Sequence, residues 1–171
     1  MAIGGVYSIG LSTGAPAAGA PYAEIRATTS AIVEIAITLK SATPSAIGLI
    51  RTATLGTSLA ANRFGGQPED PSKTPAAGFV ANGWTAAPTI SATPLFLRQI
   101  EVPGIVGTTI IWTWSAESPL LVGATATEAL VIWNFGVGAG SDLSLTVRWG
   151  EAFYTSTPRF SSGVQIPQNE F

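Results

Sequence analysis

The chain has no cysteine and no histidine, and only 11% of its 171 residues are charged, against about 25% in ordinary soluble domains. Without cysteine there is no disulfide framework, no thiolate nucleophile and no iron–sulfur cluster. Without histidine the commonest general base and the commonest metal ligand are gone, and a Ser-His-Asp triad is impossible. Aspartate is limited to Asp70 and Asp142, and lysine to Lys40 and Lys73. The formal net charge is -2, and the eight basic residues form no cluster. Nucleic-acid binding needs a basic face that displaces counterions, so no nucleic-acid partner is expected.

What is there is apolar. The hydrophobic fraction is 46% and the mean hydropathy is +0.38. No apolar run approaches the ~18–20 residues a spanning helix needs, so no membrane partner is expected. The N-terminal stretch MAIGGVYSIGLSTGAPAAGAPYA has no basic residue before Arg26. It reads as part of the mature chain rather than as a secretory signal. The excess apolarity therefore implies burial, in a core or against partner subunits.

Glycine (19) and proline (12) punctuate short runs rich in Val, Ile and Thr, and no stretch holds helical periodicity. Period-two patterning predicts strands over 22–28, 31–40, 46–54, 79–84, 95–102, 108–115, 119–123, 129–135 and 142–152. In the second of these, Val33, Ile35, Ile37 and Leu39 are expected on one face and Glu34, Thr38 and Lys40 on the other. Residues 129–135, ALVIWNF, are almost continuously apolar, as in a strand buried on both faces. Turn signals at short spacing favour a sandwich or barrel. The expected architecture is an all-β, single-domain β-sandwich over residues 1–154, followed by an extended C-terminal arm over 155–171.

Residues 62–78, NRFGGQPEDPSKTPAAG, read as a long irregular loop, because three prolines and three glycines argue against a central strand. Loops of this length tend to be functional. This loop and the arm are the expected contact elements, with Arg63, Phe64, Arg159, Phe160 and Phe171 as the anchoring side chains.

Catalytic and cofactor patterns are weak. The glutamates 24, 34, 101, 117, 128 and 151 fall in no motif that pairs two carboxylates for glycoside hydrolysis. Glu69-Asp70 lacks the alternating acidic pattern of a calcium loop. The glycine-rich 136–140 is followed by a strand pattern, not the helix a dinucleotide fingerprint requires. No enzymatic activity, cofactor or metal site is expected. Of five tryptophans, Trp112, Trp114, Trp133 and Trp149 read as core or interface residues, and Trp84, beside Asn82-Gly83, as the one most exposed.

Residues 95–151, LFLRQIEVPGIVGTTIIWTWSAESPLLVGATATEALVIWNFGVGAGSDLSLTVRWGE, resemble the C-terminal half of small virion proteins of tailed bacteriophages. So do residues 31–58, AIVEIAITLKSATPSAIGLIRTATLGTS, followed by a proline-rich loop. The resemblance lies in an arginine-bearing strand at Arg98, a Trp-Thr-Trp strand, a "LVIWN" strand and a final "L-V-W-E" strand. It implies a jelly-roll-like decoration or cement protein on a phage capsid surface. The partner it implies is the major capsid protein, and it favours a homo-oligomer, a trimer above other states. An alternative is a virion glycan- or receptor-binding module that uses exposed aromatic rings.

Overall fold

The computed structural model describes residues 3–152 apart from 28, 116, 117 and 124. The first four strands are β1 (Ile3–Thr13), β2 (Pro21–Arg26), β3 (Ser30–Leu39) and β4 (Ser45–Arg51). An insertion over 52–97 then carries β5 (Thr57–Ser58), a 3₁₀ turn (Ala60–Asn62), β6 (Arg63–Gly65), β7 (Gln67–Pro68), β8 (Phe79–Ala81) and β9 (Trp84–Ala86). The chain finishes with β10 (Arg98–Val102), β11 (Thr109–Thr113), β12 (Leu120–Leu121), β13 (Leu130–Asn134) and β14 (Leu143–Ala152).

The strands form an all-β sandwich. One sheet runs β11-β3-β14-β1-β7, with β12 also on β3, and the other runs β10-β4-β13-β2-β8-β6. Among the described residues the strand pairings are all antiparallel. The order β1-β14-β3-β11 against β2-β13-β4-β10, with the chain repeatedly crossing between sheets, is that of a jelly roll. The turns β1–β2, β3–β4, β10–β11 and β13–β14 consequently gather at one end of the sandwich.

Alternation builds the core. Ile35, Ile37 and Leu39 from β3, and Leu143, Leu145, Val147 and Trp149 from β14, meet Ile47, Leu49, Leu130 and Ile132 from the other sheet. Thr38, Ser144, Thr146 and Ser12 take the opposite face of their sheet. β13 is buried on both faces: Leu130 and Ile132 enter the core, while Val131 is equally inaccessible on the other side.

Three sequence expectations are revised. β1 begins at Ile3, whereas the first strand was expected at residue 22. Tyr7, Ile9 and Leu11 pack into or against the core from it, but Ser8, Gly10 and Ser12 leave its outer face without the charged residues that make alternation conspicuous. In β3 the ladder to β14 slips between Arg148 and Trp149, which face Glu34 and Ile32. Val33 is the extra residue of a β-bulge. Ile32 is therefore 1% exposed and joins the core, while Val33 is half-buried outside it. Residues 62–78 are not one irregular loop, because β6 and β7 lie within them.

Candidate contact surfaces

The insertion is fastened to the sandwich by a buried carboxylate. Glu24 stands between Ala81 and Val131 in the ladder of the β10-β4-β13-β2-β8-β6 sheet, pointing to its outer face with a side chain wholly inaccessible to solvent. A carboxylate so buried is costly unless paired and fully hydrogen-bonded. Here the Arg26 guanidinium donates to both oxygens at 3.1 Å, the Gly56 amide donates to Oε1 at 3.1 Å, and Trp84 Nε1 donates to Oε2 at 3.0 Å. Arg26 also donates to the Gly56 carbonyl. Two of the three donor groups, and two of the four hydrogen bonds, thus belong to residues of the insertion. Trp84, expected to be the exposed tryptophan, is half-buried with its indole N–H committed to Glu24.

Arg63 and Phe64 lie together on β6, whose ladder joins β8. Arg63 has an exposed position, but its guanidinium donates to Ser58 Oγ at 2.7 Å and to the Ser58 carbonyl at 3.1 Å. It also lies over the Phe79 ring, 5.3 Å from its centroid, with Arg26 at 5.7 Å from the same ring. Phe64 packs against the core. Arg159, Phe160 and Phe171 lie outside the described residues.

From β6 the chain crosses to the other sheet within two residues. β7 pairs with β1 through Tyr7–Pro68 and Ser8–Gln67. At the crossing point Gly66 rests against the Trp149 ring, which occupies the place a Cβ would need. The Glu69 amide donates to the Val6 carbonyl at 2.9 Å. Its carboxylate receives Arg148 Nε at 2.7 Å and Nη2 at 3.0 Å, which holds the Glu69 carboxyl below its ordinary value. Glu34 lies 3.9 Å from the same guanidinium. This clasp joins the two sheets along one flank, and Asn82 Nδ2 caps the Ser12 carbonyl of β1 at 2.8 Å. Only the tip, 69–75, projects as exposed chain.

The end where the four turns gather has a different character. A groove of 610 Å³ is lined there by Pro44, Ala46, Glu101, Pro103, Phe135 and Val137 among others. Phe135 packs on Phe96 with centroids 5.2 Å apart. Ile105 and Val106 are each 61% exposed on the β10–β11 turn, and Val137 is fully exposed on the β13–β14 turn. Asn134 organises this end: its side-chain N–H groups donate to the carbonyls of Ala17 at 3.0 Å and Gly138 at 2.9 Å, and its oxygen accepts from the Gly136 amide at 3.0 Å. The glycine-rich 136–140 is therefore folded around an asparagine and leads straight into β14. Sequence reasoning missed Asn134, although a lone amide in an otherwise apolar strand was the available signal.

The remaining carboxylates are dispersed. Glu34 faces Arg148, Glu101 borders the groove, and Glu128 lines a separate 280 Å³ pocket with Arg26 and Phe79. Glu117 lies outside the described residues, as does the side chain of Glu151. Among the described residues, no three His, Cys, Asp or Glu side chains come together as a metal-holding group. No family model, curated protein or solved structure matches this chain.

Proposed function

We propose that the chain is a virion structural protein that binds and stabilises a phage capsid as a decoration or cement subunit, with the major capsid protein as its partner. The observation that carries this reading is the loop end of the jelly roll. There Ile105, Val106 and Val137 stand exposed beside the apolar groove on turns held by a rigid two-sheet body. Exposed aliphatic groups with few charges around them are the composition of an interface core. Each contact buries a modest area, and repetition over a particle surface multiplies it. The resemblance of residues 31–58 and 95–151 to phage virion proteins points the same way and favours three-fold association of copies.

The test is electron microscopy of particles made with and without the protein. The reading requires added density at regular capsid positions and particles that survive higher temperature when it is present. Particles that never bind the purified protein would overturn it. The groove, with Phe135 beside the Glu101 carboxylate, also suits a virion glycan-binding module. Hits on a glycan array abolished by Phe135→Ala would favour that reading instead.

A further inference from the structure

We propose that β11 is a self-association edge, at which a second copy of the chain adds its own β11 in antiparallel register and extends the sheet across a two-fold axis.

The argument begins with the edges of the two sheets. An exposed edge is a template for another strand, and proteins usually block it with charge, proline, brevity or a cover. β7 is two residues long and contains Pro68. β6 is three residues long and carries Arg63. β10 carries Arg98 and Glu101 and runs into Pro103. On β1, the Val6, Ser8 and Ser12 positions are taken by Glu69, Gln67 and Asn82. β11, Thr-Ile-Ile-Trp-Thr, has none of these protections. No described residue pairs with its outer side, and Ile111 is 59% exposed.

The hydrogen-bond phase shows what that edge offers. Leu39 donates to the Thr108 carbonyl, and Trp114 donates to the Val33 carbonyl. By alternation Ile110 and Trp112 also bond toward β3. Thr109, Ile111 and Thr113 therefore direct their amides and carbonyls outward.

That set is self-complementary. With a two-fold axis at Ile111, the two Ile111 residues exchange both hydrogen bonds, and Thr109 faces Thr113 of the second copy. No charged side chain of either β11 is brought opposite another. A charged or proline-bearing segment would fit this uncharged edge less well. The contact is isologous, so it joins each copy to one neighbour and leaves any three-fold contact to other surfaces. It rests on the self-association contained in the proposed function, and not on capsid binding, which particle occupancy reads separately.

The test uses the full chain in sedimentation equilibrium. The wild type should form a dimer whose fraction rises with concentration. Ile111→Lys, which places a charge on the edge, should weaken association about tenfold or more, with the circular dichroism spectrum and thermal midpoint unchanged. Because the chain has no cysteine, Ile111→Cys gives an independent measurement. Paired Cα atoms about 5.5 Å apart lie within disulfide reach, so oxidation should yield one covalent dimer. Absence of self-association, an Ile111→Lys variant that associates as the wild type does, or failure of Ile111→Cys to crosslink would each overturn the proposal. So would association lost on deleting 155–171 but kept in Ile111→Lys, which would put the contact in the arm.

Discussion

Glu24 illustrates how one buried charge can organise a neighbourhood. Its two oxygens receive Arg26, Gly56 and Trp84, so a single side chain fixes an ion pair, a backbone turn and an aromatic ring. Removing one partner of such a pair leaves the other charge uncompensated, and the cost is about 3–5 kcal/mol. Glu24→Ala should therefore lower stability by that order, as read from urea denaturation. Because two of the donors belong to the insertion, protease cleavage within 66–78 should appear before the sandwich unfolds. A variant with a wild-type denaturation midpoint and an uncleaved insertion would show that the carboxylate is not the fastening. Nothing in the sequence marks Glu24 for this role. It alternates with Ala23 and Ile25 as a solvent-facing residue would, and only the insertion, folded over it from tens of residues away, makes its site an interior one.

Among elements, the clasp from β6 to Glu69 has a pH dependence that can be worked out. Arg148 stabilises the ionised Glu69 carboxylate in the folded state, so the folded value lies below the unfolded one. The stabilisation is then complete above the ordinary glutamate range, near about 4.3, and is lost as pH falls through the lowered folded value. Both side chains are about one-third exposed, so solvent screening limits their coupling to about 1 kcal/mol or less. Hydrogen exchange at the Glu69 amide, bonded to Val6, should quicken selectively under acid relative to amides of β13. Equal acceleration at both would mean that the clasp does not open separately. The clasp was only partly legible: prolines 68, 71 and 75 correctly excluded a central strand, but short edge strands tolerate proline, and two such strands lie among these residues. The bulge at Val33 was hidden for a related reason. Alternation predicts a face only while the ladder keeps register, and one extra residue reverses every assignment before it.

On the scale of the whole molecule, the class of fold was readable, and all nine of the strand expectations overlap observed strands. The nesting of β1 beside β14 was not, because turn chemistry specifies neighbours in sequence and the jelly roll pairs the two ends of the described chain. That pairing has a consequence for truncation. Deleting residues 1–13 would strip Tyr7 and Leu11 from the core and bare one side of β14. Circular dichroism and size exclusion should show a chain that fails to reach the folded state. A truncated protein with a cooperative thermal transition near that of the full chain would contradict this. The clasp along the opposite flank has a further effect. A sheet grows into a fibre only if every unit carries a receptive edge on both flanks, so that each addition regenerates a site for the next. Here the insertion closes one flank with short, arginine- and proline-bearing strands, and the uncharged edge lies on the other. Pairing through that edge uses it up, so strand addition stops at two copies instead of propagating.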